Sequence, residues 1–371
     1  MDILKKAISI TIFLVLLIWL CKALTLGNYP DFNVFYGGLK AYLAGGNPYK
    51  DVIGSSMKFL YPPIALFFFL PVAFFERAEA SIIWTVLSII LFITSIVFLF
   101  KTEKRKIFSN EFFILSSFSF LMFPLKFNLG MGQFNNVNLF LLSLFLLLTS
   151  RGRFALSGTA VGLSLILKVF PVLLLPYLLI IKQFKAFQLS VLVVIAGVAI
   201  GFVVVRQELT EYFFGSSLLG TLRSWPLDYY NQALSGLLGR WLGVSFTTLC
   251  IKYFLTFLLI GASFFIYWKK RSVKSIHLLA ASSIFPLSLI TLTFSWQHYF
   301  VLTMPAYLLL YFRFRKKKRS TKKYFLLFTS YVLVALNLAH PSSFPLIFQW
   351  HVFYGTLLLL ALQLEEIYHA K

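Results

Sequence analysis

The stretch KKAISITIFLVLLIWLCKALTLGNYPDFNVFYGG, residues 5–38, decides the architecture. Two lysines precede an apolar run from Ala7 to Leu26, about the 20 residues a helix needs to cross the hydrocarbon core of a bilayer. No small-x-small cleavage site follows, so the run reads as an uncleaved first span and not as a signal peptide. Trp19 and Leu20 stand where a lipobox would need small residues, which argues against a lipoprotein role for Cys21. The lysines mark the N-terminus as cytoplasmic, because Lys and Arg gather on that side. The segment that opens with Asp31 is then expected outside.

Working outward, the whole chain fits a life in lipid. Of 371 residues 59% are hydrophobic and 12% charged, and mean hydropathy is +0.85, far from a soluble domain. Further apolar segments lie near 80–100, 111–126, 136–150, 154–167, 169–181, 189–206, 245–268, 276–294, 299–312, 324–340 and 347–364. Alternating their direction puts the basic runs at 101–106, 151–153, 182–185, 269–274 and 313–323, with Lys371, on the side of Lys5 and Lys6. Lys40, Lys50, Lys58, Lys126, Lys168, Arg206, Arg223 and Arg240 fall on the other side. The expected fold is an all-α polytopic bundle of about 12 transmembrane helices in one domain over 1–371, in the plasma (inner) membrane, with both termini cytoplasmic. Two long extracytoplasmic loops, 27–79 and 206–244, complete it. Tyr61 to Phe75 contains Pro62, Pro63 and Pro71; were it a span, the later basic runs would face outward, so it reads as re-entrant or interfacial. A second way of keeping parity joins 154–167 and 169–181 into one element. The net charge of +22 orients the chain and meets anionic headgroups; no nucleic-acid partner is implied.

Every uncommon polar motif converges on the outer side, and polar groups at membrane depth are costly unless they face a cavity. Asp31 is either a general base with a raised pKa or the N-cap of a helix over 32–44. AGGNPYKD at 44–51 is a turn built on Gly45, Gly46 and Asn47. Tyr49 and Tyr61 suit either sugar stacking or a headgroup belt. Lys168 either snorkels or grips a lipid phosphate. Together with Arg206, Arg240 and His298 it would form a clamp for a phosphodiester or diphosphate. Gln133, Asn135, Asn136, Asn231 and Gln232 supply neutral donors and acceptors of the kind that read sugar hydroxyls. No nucleotide-binding Walker sequence is present, and no HExxH or acidic cluster offers a metal site, so neither a cofactor nor a metal is expected.

DFNVFY with GGNPY, then YPP, GMGQFNN, LKVFP, NQALSGLLGR and SWQHYF, in that order over roughly residues 25–310, resemble glycosyltransferase family 87. This family belongs to the GT-C superfamily and contains polyprenyl-phosphate-mannose-dependent mannosyltransferases. The resemblance implies an inverting transfer at the outer face, from a sugar on a polyprenyl phosphate to a glycan or glycolipid acceptor in membrane lipid. It maps the catalytic acid of the first outer loop onto Asp31, and donor-phosphate contacts onto Lys168 and His298. Members often carry a second histidine next to the first; here Tyr299 takes that place. Tyr36, Asn47, Tyr49, Tyr61, Trp296 and Gln297 join the sugar or acceptor candidates, beside Gln133, Asn136, Asn231 and Gln232. One carboxylate to take the acceptor proton and cations around the leaving phosphate are a sufficient set for a single displacement. Two other readings remain at this level: a lipid or lipid-linked glycan flippase, and a polymerase or ligase using a diphosphate-linked donor.

Overall fold

The computed structural model describes all residues except Met1, Ser56, Val204 and Lys371. Among the described residues the secondary structure is helical, with one isolated bridge between Asn231 and Trp296. Each apolar segment expected from the sequence is largely helical, but among the described residues six helices are long and apolar enough to cross a membrane by themselves, or seven with one bent pair. This is an integral membrane protein. The six are α1 (Asp2–Cys21, continued by a 3₁₀ turn to Thr25), α3 (Arg77–Thr102), α9 (Phe184–Val203), α13 (Phe246–Lys269), α14 (His277–Thr291 after a 3₁₀ turn) and α17 (His351–Tyr368 after a 3₁₀ turn). Between α1 and α3 runs α2 (Pro30–Leu43).

Other apolar segments form shorter helices, and proline stands at two of the breaks between them. Helix α4 (Asn110–Leu121) meets α5 (Phe123–Met131) at a 60° bend. Met122 at the joint is extended, and Pro124 stands in the first turn of α5, where its missing N–H has no intrahelical partner to lose and the preceding helix cannot run through it. Helices α6 (Asn135–Ser150) and α7 (Phe154–Leu167) follow, and then the chain breaks again. Lys168 is extended (φ −159°, ψ 126°) and a 3₁₀ turn, Phe170–Leu173, carries Pro171 into α8 (Leu174–Ile180). The alternative of one long element over 154–181 is thereby corrected. Pro63–Val72 is a 3₁₀ segment that buries Leu66 and Phe69. It is fastened to α2 by Tyr36, whose hydroxyl donates to the Phe75 carbonyl at 2.9 Å, and by Lys40 Nζ, which donates to the Ala73 carbonyl at 2.9 Å.

Helices α7 and α9 pack without room for side chains. A Cβ on Gly158 would sit 2.2 Å from the Ala186 carbonyl oxygen, and one on Gly162 would sit 2.8 Å from that of Ser190. Small residues four apart allow this approach between helices in lipid. Beyond α9 come α10 (Gln207–Tyr212), a π-helical turn, α11 (Leu218–Arg223) and α12 (Leu234–Leu242). Near the C-terminus, α15 (Met304–Lys317) and α16 (Thr321–Ala335) precede α17. One large apolar cluster joins the helices from α1 to α17. A smaller aromatic cluster sits beside α2: Phe35 stacks on Phe69 at 4.7 Å, Tyr61 meets Phe134 at 4.7 Å and Phe69 meets Trp84 at 4.5 Å. Such pairs contribute about 1 kcal/mol each beyond burial, and they form the floor on which the polar residues of the next section stand.

Candidate active site

Pro30 is the first residue of α2, and Tyr29 is its N-cap. Proline is favoured there because its missing N–H has no partner to lose. Asp31 thus falls inside the first turn, and the expectation that it caps a helix over 32–44 is corrected. Its carboxylate is spent elsewhere: Oδ2 accepts from Gln133 Nε2 at 2.8 Å, and the same nitrogen reaches the Tyr61 hydroxyl at 3.2 Å. Burial raises the Asp31 pKa to about 6, opposed by the Gln133 hydrogen bond and by the charge of Lys168.

Gln133 is delivered by a single backbone feature. Helix α5 ends at Gly132 in the left-handed region (φ 67°), a conformation costly for residues with a side chain. The Gly132 carbonyl accepts from Trp84 Nε1 at 2.9 Å, and a Cβ at this glycine would lie 2.5 Å from that of Phe32. Gly132→Ala is therefore expected to force α2 away and to destabilise the protein by about 1–3 kcal/mol. The check is a thermal-unfolding comparison of the variant with the parent. A melting temperature equal to that of the parent would show that the turn tolerates the methyl group.

Lys168 enters from the break after α7. Its Nζ donates to Asn135 Oδ1 at 3.0 Å and lies 3.2 Å from the centre of the Tyr299 ring. Asn135 in turn donates to Asn128 Oδ1 at 2.8 Å, and both asparagines are fully buried. Burial pulls the Lys168 pKa well below its ordinary value, while the Asp31 charge pushes it back up. The Tyr299 and Tyr61 hydroxyls are near enough to influence each other. His298, next to it, is 4% exposed, and neither of its ring nitrogens has a hydrogen-bond partner. Its ring is flanked by Phe127 at 5.1 Å and Tyr299 at 4.7 Å. Buried polar groups without partners are rare, and a histidine that keeps both nitrogens free has capacity for a ligand. Asp31, Gln133, Tyr61, Tyr299, Lys168 and His298 thus form one contiguous set: a carboxylate that titrates near neutrality, an ammonium and an imidazole.

Other residues singled out by sequence lie elsewhere or are already spent. Arg206 donates to the carbonyls of Gly45 and Gly46 and lies over the Tyr42 ring, so it ties the glycine turn to the start of α10. Arg240 donates to the Gly236 and Asn231 carbonyls and stacks over Trp350, leaving one amino group unpaired. Asn231 and Gln232, expected to read sugar hydroxyls, use their amides on backbone here. Asn231 accepts from Ala233 and Ser295 and donates to Pro226, while Gln232 donates to Tyr229 and Gln349 and accepts from Phe353. Asn136 joins α6 to α3 by donating to Ser88 Oγ at 2.9 Å. Gln297 donates to the Leu336 carbonyl, and Trp296 pairs with Asn231 through the isolated bridge. Asn47 closes its own turn on Tyr49 N, and the buried Tyr49 donates its hydroxyl to the Tyr61 carbonyl at 2.8 Å. Tyr36 is the clamp on Phe75 described above. Asn128 and the aromatic seat at Tyr299 were missed; the one available signal was the proximity of Asn128 to the GMGQFNN motif.

The family model of Glycosyltransferase family 87 matches residues 59–295, a stretch that ends between Asp31 on one side and His298 on the other. Two curated relatives, from Mycobacterium tuberculosis and Mycolicibacterium smegmatis, are polyprenol-phosphate-mannose-dependent alpha-(1-2)-phosphatidylinositol pentamannoside mannosyltransferases. They are 26% and 27% identical, over 61% and 58% of this chain. A third, from Mycobacterium tuberculosis, is a polyprenol-phosphate-mannose-dependent alpha-(1-2)-phosphatidylinositol mannoside mannosyltransferase, 23% identical over 79% of this chain. The chain spans about half the length of the first two (54% and 53%) and 75% of the third. Among solved structures it is similar to the crystal structure of ArnT from Cupriavidus metallidurans bound to undecaprenyl phosphate, at 12% identity and a TM-score of 0.46, covering 98% of this chain and 77% of that one. Since the family match takes in well over half of the sequence, the chain belongs to glycosyltransferase family 87.

Proposed function

We propose that the protein is an inverting glycosyltransferase that moves a sugar, mannose in the first instance, from a polyprenyl phosphate to a lipid- or glycan-type acceptor. The observation that carries this reading is the placing of Asp31, with its pKa raised to about 6, in one set with Lys168 and His298. In a single displacement the acceptor hydroxyl attacks the anomeric carbon, its proton passes to the Asp31 carboxylate, and the electrons of the breaking bond leave with the lipid phosphate. Lys168 and His298 meet that phosphate as its charge grows, and in a dry site such contacts count for more than in water. The names of the curated relatives support the donor class. The expected membrane arrangement is twelve crossings with both termini cytoplasmic and this set at the extracytoplasmic face, which the distribution of Lys and Arg supports.

The test is incubation of purified protein with labelled polyprenyl-phosphate-mannose and membrane lipid acceptors, with mass detection of the product. A labelled diphosphate-linked glycan runs in parallel. Transfer only from the second donor, or lipid movement with no product, would overturn the proposal.

A pH profile follows from the same carboxylate. The base works when ionised, so kcat/KM should fall about tenfold per pH unit below pH 6 and level off above it. A profile that stayed flat down to about pH 4, the ordinary aspartate range, would separate Asp31 from the proton transfer.

A further inference from the structure

Away from Asp31, a cavity of about 260 Å³ lies between α4, α15 and α16. Its walls are apolar and aromatic, from Met122 and Met304 at one end to Leu115 and Tyr311 at the other. There it meets a polar cavity of about 210 Å³, walled by Glu111, Ile114, Leu115, Tyr311 and Arg315. Leu115 and Tyr311 wall both, so the two spaces adjoin. From Glu111 to Leu121 helix α4 rises roughly 15 Å, about the depth that the chains of one leaflet fill. The composite space thus has the proportions of a single lipid: one charged end and one hydrocarbon slot. Phe118, Phe328 and Tyr331 wall the slot, and the Tyr331 hydroxyl latches two of its helices by donating to the Phe118 carbonyl at 2.6 Å.

Charge at the polar end selects the headgroup. Arg105 and Arg315 stand 3.6 and 3.8 Å from the two carboxylate oxygens of Glu111, too far for hydrogen bonds. The Glu111 oxygen facing Arg315 is buried without a hydrogen-bond partner, and the Arg315 side chain is 57% exposed. Among the described residues Glu111 thus accepts no hydrogen bond, and the two arginines beside it are held there as ion pairs alone. A purely anionic headgroup would meet the Glu111 charge. A phosphate joined by a short link to a primary ammonium satisfies both groups at once. We propose that this space is a binding site for an aminophospholipid, with its phosphate on Arg315, its ammonium on Glu111 and one acyl chain between α4, α15 and α16. The site is separate from the Asp31 set and does not depend on the reaction proposed above.

The experiment uses the purified full chain and native mass spectrometry with phosphatidylethanolamine, phosphatidylcholine and phosphatidylglycerol of identical chains. Phosphatidylethanolamine should be retained about tenfold better than phosphatidylcholine, whose quaternary ammonium has no N–H to give. Glu111→Gln should level those two lipids. Ser119→Trp, which fills the apolar slot, should lower retention of all three. If Ser119→Trp fails to fold, Arg315→Gln on the exposed rim takes its place, with the same expected loss. Equal retention of phosphatidylethanolamine and phosphatidylcholine by the parent protein would overturn the proposal. So would tightest binding of phosphatidylglycerol, or displacement of bound lipid by a polyprenyl phosphate that Glu111→Gln leaves unchanged.

Discussion

Asp31→Asn should abolish sugar transfer to within about 1 part in 10²–10⁴ of the parent rate, the range that a lost general base removes. The substitution keeps the shape of the side chain, and its oxygen can still accept from Gln133 Nε2, which lies 2.8 Å away in the parent. What disappears is the ability to take a proton. Folding and activity should part company here. The carboxylate is raised to about 6 chiefly by burial, above the unfolded aspartate range, so its stabilising share is present at low pH and is lost as pH rises through 6. Above that pH the ionised group is carried at a cost that asparagine lacks, and the variant should melt at the same temperature or higher. Initial rates with labelled donor and a melting curve on one preparation decide the matter. Transfer within a few-fold of the parent would remove Asp31 from the chemistry.

The second large effect belongs to Lys168→Met, which keeps an apolar stem and removes the ammonium. A loss of about 10²–10³ in transfer is expected, the scale for removing one group that stabilises developing charge. Donor retention should weaken with it, because the cation meets the phosphate before as well as during departure. Arginine should not rescue. The seat is made by one asparagine oxygen at 3.0 Å and one tyrosine face at 3.2 Å, a spacing that fits a compact ammonium, whereas the broader five-donor guanidinium fork exceeds it. If Lys168→Met bound and turned over donor as the parent does, the phosphate would have to sit elsewhere.

Helical segments were legible because hydropathy and proline act locally. The segment expected at 154–167 ends where α7 does, and the stop is set by Lys168 with Pro171 close behind. The polar residues were harder, since an amide in an outer loop looks the same whether it faces a ligand or ties down its own backbone. Asn135 and Asn136 are neighbours in sequence and both are fully buried. One holds Lys168, while the other joins α6 to α3. Which is which depends on the rotation of α6 against its partners, a long-range fact that no local pattern encodes. Asn231 and Gln232 illustrate the same ambiguity. Arg206 was placed near a phosphate because it is basic and outward, yet the unfilled carbonyls of Gly45 and Gly46 claim it first. By contrast, Asp31 and Gln133 were named from motifs far apart in sequence, and they meet.

The buried ladder of Asn128, Asn135, Asn138, Ser164 and Lys168 also bears on biogenesis. Asn138 accepts from Ser164 at 2.7 Å, so α6 and α7 satisfy polar groups that neither could take into lipid alone. Segments of this kind partition poorly one at a time, so their stable insertion should wait until later helices have been synthesised. A ribosome stalled between α6 and α7 would leave its nascent chain with uncompensated amides, a natural substrate for membrane quality control.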